Sequence, residues 1–439
     1  MGTEVRTIAG DRSIGWATRC AFYAWMFALP YDALTPTWLP EPFQGSLSIP
    51  RLAGIALVVA FLSDVKLRPW KLPPASRALA AFFAVFALSM LRSDFDKLTA
   101  VLQQFQNLVL LVICYNLFAT VRATRGALLA YAISCGVSSI LSLAGMVEVP
   151  QSQLSEGRLS AFGLNANEYS QTLLVGTLAA VGIAHIRKGR GNVHPLVLWG
   201  LVACTMAAIV NAASRGQTLA LAVGLVVLVL QKGSLRIRLR NLGLLAVIGM
   251  IGFCLLSYTD TLKDRWTDTL ETGSTSGRDV IAGAAIQMIL EKPLTGWGAQ
   301  GGYELGNRVH YRRGEERATH NMVLAMLLFT GIAGAAAYFT AYVTVLRASW
   351  WARSGVEGAL PLAIFLALLI GDSISGGLPL KLHWTFFAYQ LAAGMKHPPQ
   401  GASHGIEVAR TGSSRAGTRT AVRQRQIASS PMQNWSNSI

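Results

Sequence analysis

The chain has 439 residues, of which 52% are hydrophobic and only 14% charged, with a mean hydropathy of +0.42. Soluble globular domains carry about 25% charged residues, so an ordinary soluble multi-domain protein is excluded. The formal net charge of +16, from 38 basic and 22 acidic residues, would fit a nucleic-acid binder. The placement of those charges in short loops between apolar runs argues instead for a membrane topology signal.

Taken in chain order, the apolar runs predict spans near 14–30, 46–63, 76–92, 99–119, 126–147, 170–186, 195–213, 217–231, 240–257, 319–346, 358–372 and 378–394. Each should be helical, because only a helix satisfies its own backbone hydrogen bonds in lipid. The fold class expected is therefore an all-α polytopic membrane protein with about 12 transmembrane helices. The first run lacks a small-residue cleavage site and reads as a retained helix. With both termini cytoplasmic, the inside loops hold Lys66, Arg68, Lys71 and Arg77, then Arg122 and Arg125, Arg187 to Arg190, Lys232 to Arg240, and Arg347 and Arg353. That is the positive-inside pattern. The chain then divides into helices over 1–257, a large periplasmic segment over 258–318, further helices over 319–395, and a basic tail over 396–439 that is too polar to bury a core and should be disordered.

Cys20, Cys114, Cys135, Cys204 and Cys254 all fall in apolar runs and read as small buried hydrophobes, with neither a disulfide nor a metal site expected. Asp260, Asp264 and Asp268 recur every four residues, which is more simply a solvated face than a cation site. Gly296-Trp-Gly298-Ala-Gln-Gly301 has the letters of a dinucleotide fingerprint, but no strand precedes it. Its glycines, with Pro293, instead shape a tight turn after a helix over 278–290. No Ser-His-Asp arrangement has local support.

Three outside segments carry polar residues. Arg215, in Ser214-Arg215-Gly216, joins two apolar runs with almost no loop. Its plain reading is a snorkelling interfacial arginine; its functional reading is an anion clamp, since the guanidinium fork matches phosphate oxygens. Arg158, Arg265 and Arg278 lie on the same side and together make a basic site suited to a lipid diphosphate. His320, in Thr319-His320-Asn321, is either a local helix cap or a general base near its working pH. A helix N-terminus there disfavours its charged form and favours nearby anions. His383, which opens the last run, is the remaining alternative among the histidines.

These motifs in this order resemble the O-antigen ligase and O-antigen polymerase superfamily of bacterial envelopes. The resemblance rests on Arg158-Leu-Ser-Ala-Phe-Gly163 with Asn165 and Asn167, on Ser214-Arg215-Gly216, and on Arg278 through Glu291-Lys-Pro293 and Gly296-Trp-Gly298 to His320-Asn321, Gly331 and Gly334. It implies a GT-C-like, metal-independent, inverting glycosyltransferase without cofactor. Such an enzyme moves a polysaccharide from undecaprenyl diphosphate to the lipid A-core at the periplasmic face of the inner membrane. Arg215 and Arg278 would then hold the donor diphosphate, with Arg158 and Arg265 as further contacts. His320 would activate the acceptor hydroxyl, and Ser214 and Asn321 would support these groups. The rival readings are a polymerase, a protein O-oligosaccharyltransferase and, outside enzymes, a lipid-linked glycan transporter, which would place its ionisable groups nearer the bilayer midplane.

Overall fold

A computed structural model describes residues 14–32, 34, 48–65, 70–93, 98–147, 158–186, 194–231, 277–310, 316–375 and 380–396, with a few isolated positions between 235 and 243. Among these residues regular structure is helical throughout. In chain order the α-helices are α1 (Trp16–Ala28), α2 (Ile49–Val65), α3 (Ser76–Ser93), α4 (Leu98–Leu117), α5 (Val121–Leu143), α6 (Ala166–Ile186), α7 (Pro195–Asn211) and α8 (Arg215–Leu230), followed by α9 (Arg278–Glu291), α10 (Gly301–Arg308), α11 (Met322–Ala352), α12 (Leu360–Ser375) and α13 (Lys381–Met395). The expected span 240–257, the acidic series Asp260 to Asp268, Arg265 and the tail beyond 396 lie outside the described residues.

Three helices, α4, α5 and α11, are long and apolar enough to cross a membrane, and Pro195–Asn211, Arg215–Leu230 and Leu360–Ile374 are shorter apolar helices. This is a membrane protein by helix content and apolarity. The other expected runs that lie within the described residues also fold as helices, with ends within about six residues of those predicted.

Why these helices associate follows from their residues. In lipid, apolar surface alone gives no drive to pair, so close approach and polar contacts matter. Along α5, Ser138 and Ser142 meet the Tyr169 hydroxyl of α6 at 3.2 and 2.7 Å, and the Tyr131 hydroxyl donates to the Thr172 carbonyl at 2.8 Å. Thr177 of α6 donates to Thr205 of α7 at 2.8 Å. Beside them, α13 is buried along nearly its whole length, Lys381 to Gly394, and its buried Lys381 and His383 are paired with acidic partners inside the bundle. Its Trp384 and Phe387 pack into a ring cluster with Phe82, Tyr342 and Phe365. One expectation fails here. Cys114 and Cys135 are buried, but Cys20 is exposed on α1, where an apolar thiol can face lipid at no desolvation cost.

The helices alternate in direction, which gives the bundle two ends. One carries Lys396 bonded to Glu357 at 2.7 Å and Gln231 bonded to the Arg353 carbonyl and the Ala359 amide. The other gathers the C-termini of α5, α7 and α12 with the N-termini of α6, α8 and α13. Above that end sits a second, smaller core of Ile281, Ala285, Met288, Leu305 and Leu328, built from α9, α10 and the first turns of α11. The glycine-rich stretch after α9 was expected as a turn; it continues as a 3-10 turn, Gly298–Gln300, into α10.

Candidate functional site

The site is assembled where chain reversals place helix N-termini at one end of the bundle. Among the described residues, four non-glycine residues have positive φ: Phe162, Ala213, His310 and His320. His320 is itself a sequence-predicted site residue, Ala213 precedes Ser214, and Phe162 lies in the segment that follows Arg158. L-residues pay for this region of backbone space, and such strain concentrates at functional sites.

Ahead of α6, the segment 158–165 folds back across the α7–α8 corner. Leu159 N–H donates to the Asn211 carbonyl at 3.0 Å. Arg158 Nε donates to the Ala212 carbonyl at 3.2 Å, and its Nη2 donates to Asn167 Oδ1 at 3.0 Å. The same Asn167 oxygen accepts the Ser214 hydroxyl at 2.9 Å. Asn165 Oδ1 caps α6 by accepting from the backbone N–H of Asn167 and Glu168, each at 3.0 Å. Arg158, Asn167 and Ser214 therefore form one cluster, which places Arg158 beside the start of α8.

Arg215 is the first residue of α8, immediately after Ala213 at φ 50. A helix N-terminus presents unsatisfied N–H groups and a positive dipole end, and Arg215 adds a full charge to both. The next residue, Gly216, lies against Ile374 near the end of α12, where a Cβ would strike the isoleucine side chain.

Arg278 likewise opens α9, after Gly277 at φ 74. His320, at φ 53, precedes α11, and the cap of that helix is Asn321 rather than His320. The Asn321 side chain accepts from Val323 N–H and Leu324 N–H at 2.9 and 3.1 Å, and its Nδ2 donates to the Ser373 carbonyl at 3.1 Å. The imidazole is thereby left for other work. Its pKa is lowered from 6.5 to about 4, first by burial and then by the charges of Arg317 and Arg278. Arg278, Arg317 and His320 thus share one locality. Through Ile374 and Ser373, the last turn of α12 touches both the Arg215 corner and the His320 corner.

Sequence reasoning missed Arg317, the bridging role of Asn167, and a buried polar group under the site. Asp372 Oδ1 accepts from Gln171 Nε2 at 2.6 Å and pairs with His383 Nε2 at 2.8 Å. Because His383 Nδ1 accepts from the Leu380 N–H at 3.1 Å, Nε2 carries the proton and donates to the carboxylate. The alternative histidine is therefore committed to a buried acid one residue from Ser373. Lys381 pairs with Asp32 close by. Asp372 carried a signal: an acidic residue within an apolar run is costly in lipid and marks a site. Arg265 lies outside the described residues, and among the described residues no group of three or more His, Cys, Asp or Glu could hold a metal ion.

Residues 199–339 match the family described as O-antigen ligase. The matched stretch includes Ser214, Arg215, Arg278, His320 and Asn321, while Arg158, Asn167 and the Asp372–His383 pair flank it. A search of curated proteins finds no match. Members of the O-antigen ligase family are glycosyltransferase-like enzymes acting on lipid-linked glycans.

Proposed function

We propose that the chain is an O-antigen ligase. It transfers polysaccharide from undecaprenyl diphosphate to the lipid A-core, at the periplasmic face of the inner membrane. The observation that carries this reading is the placing of His320, held neutral, beside Arg278 and Arg317 and on the same helix end that meets the start of α8 at Arg215. Both termini are cytoplasmic in this reading. The end of the bundle near Arg122, Arg125, Arg347 and Arg353 then faces the cytoplasm, as the positive-inside rule requires.

Arg215 and Arg278, each at a helix N-terminus, bind the donor diphosphate. The acceptor hydroxyl attacks the anomeric carbon as the bond from that carbon to the diphosphate oxygen breaks. The hydroxyl proton passes to His320, and the negative charge of the departing undecaprenyl diphosphate is taken up by the arginines. Attack from the face opposite the leaving group inverts the anomeric centre. A diphosphate is already a good leaving group, so the chain's own cations suffice for this step and no metal is assigned to it.

The lowered proton affinity of His320 has a role in this scheme. With the site free of donor, Arg278 and Arg317 repel a proton and the ring is neutral but weakly basic. A bound diphosphate offsets those charges and raises the proton affinity toward the range where a general base is effective. Arg158 and Arg265 are further contacts to donor or acceptor.

The test is transfer by purified protein in liposomes with EDTA present, from undecaprenyl-diphosphate-linked glycan to lipid A-core. Glycan on lipid A-core, lost in His320→Ala and Arg278→Ala, is the expected result. Lengthened lipid-linked chains would instead make the protein a polymerase, and transfer that survives His320→Ala would remove the base assignment.

A further inference from the structure

Gly331 interrupts α11 with φ 64 and ψ −169, a combination open essentially to glycine alone. The 31 residues of α11 would run about 46 Å as a straight helix, longer than the roughly 30 Å hydrocarbon core. The break separates a membrane-length shaft from a short upper piece that belongs to the small second core. Broken helices need new partners for the backbone groups they free.

Those partners come from the turn after α9. Ile332 N–H donates to the Pro293 carbonyl, and Trp297 N–H donates to the Leu328 carbonyl, both at 2.8 Å. The Ser89 hydroxyl of α3 donates to the Thr295 carbonyl at 3.1 Å. Gly296 has φ 66, and a Cβ there would lie 2.6 Å from Gly331 N, so the two backbones meet with nothing between them. Trp297 closes the joint. Its indole N–H donates to the Met288 carbonyl in the last turn of α9 at 2.7 Å, and the Lys292 ammonium lies 3.6 Å from its ring centroid. Arg308 of α10 braces the same corner with two bonds to Glu291, at 2.6 and 2.7 Å.

From this joint, α9 rises to Arg278 and the upper piece of α11 rises to His320. We propose that Trp297 is a positioning residue for the transfer: by seating the turn 293–297 in the break of α11, it fixes α9 against α11 and so holds Arg278 beside His320. The inference rests on the reading that Arg278 and His320 serve the transfer. The lever is long. The 14 residues of α9 span about 20 Å, so a tilt of about 3° at the joint moves Arg278 by about 1 Å. A misplacement of that size can cost about 10²-fold in rate.

The experiment compares wild type, Trp297→Phe and Trp297→Ala in liposomes by two measurements. The first is steady-state transfer. The second is carbethoxylation of His320 by diethyl pyrocarbonate as a function of pH, read by mass spectrometry on the full chain, which needs no activity. The cations facing His320 are Arg317 from the preceding segment and Arg278 from α9. Release of Arg278 removes a repulsion, so the half-labelling pH of Trp297→Ala moves up from near the wild-type value toward that of an ordinary histidine. Its kcat falls about 10- to 100-fold, with helix content unchanged by circular dichroism. Trp297→Phe, which keeps the ring and loses the bond to Met288, shifts in the same direction by less.

A labelling curve that superimposes on wild type in both variants, or a wild-type kcat in Trp297→Ala, overturns the proposal. Should Trp297→Ala fail to fold, the labelling curve of Trp297→Phe decides alone. Wild-type protein that transfers no glycan defeats the ligase reading, while the labelling curves still decide the joint.

Discussion

The Lys396–Glu357 pair at one end of the bundle and the surroundings of His320 at the other handle charge in opposite ways. At one end Lys396 meets Glu357 at 2.7 Å, with both side chains mostly buried. Each charge there has its counter-charge beside it, and the arrangement closes the bundle. At the other end the surroundings of His320 act together to expel a proton, through burial and through the charges of Arg317 and Arg278. In the proposed reading, that bias suits a locality that receives the negative charge of the donor. The first arrangement is a clasp and the second, in the proposed reading, a receptor, although both lie at the tips of helices.

The sharpest way to break the comparison is to remove receptor cations singly. Arg278→Ala and Arg215→Ala should each lower transfer by about 10²–10³-fold, on the scale of losing one charge-stabilising donor, with unfolding midpoints near wild type. His320→Ala should cost about 10²–10⁴-fold. Initial-rate assays check all three, and full activity in any of them would remove that residue from the scheme.

At the clasp the expectation is reversed. Glu357→Gln leaves Lys396 without its counter-charge and should destabilise by about 3–5 kcal/mol, the usual cost of breaking a buried pair from one side. The kcat of the folded fraction should stay at the wild-type value. Thermal unfolding in detergent, run beside the transfer assay, separates the two quantities.

His320 also ties stability to pH, and the sign follows from its lowered pKa. The unfolded chain binds a proton at the ordinary value of 6.5, whereas the folded chain resists it until about 4. Stability is therefore highest above pH 6.5 and falls as the pH drops from 6.5 toward 4. His320→Gln should flatten that part of the profile, measured as unfolding midpoint against pH. Addition of a diphosphate to wild type should flatten it as well, by raising the folded-state pKa.

A smaller effect belongs to Asn321. Replacement by Ala removes the cap of α11 and should cost about 1 kcal/mol of stability. It also removes the bond to Ser373, which holds the His320 corner on α12, so transfer should fall by more than the loss of folded protein explains.

Much of this was readable from the chain. Apolar runs fix helix positions because lipid permits little else, and those runs fold as expected wherever the residues are described. Arg158, Ser214, Arg215, Arg278 and His320 stood out because charge and imidazole beside apolar runs need a reason. Other features depended on neighbours far away in sequence. Nothing near Asn167 indicates that one of its oxygens will join Arg158 to Ser214. Asp372 was overlooked because its partners, Gln171 and His383, come from two other helices. The cap reading of His320 was open in sequence, and in the structure Asn321 takes the cap instead.

By itself the sequence determined that the chain is helical and rich in apolar helices suited to a membrane, and it offered Arg215, Arg278 and His320 as candidates for the chemistry. Hydropathy and the distribution of Lys and Arg act locally, so they can be read one residue at a time. Only the tertiary structure decided which helix ends meet, that burial with Arg317 and Arg278 lowers the pKa of His320, and that a turn 293–297 fills a break at Gly331. Those properties arise from burial and from backbone groups finding partners across the chain, and neither exists until the helices have packed.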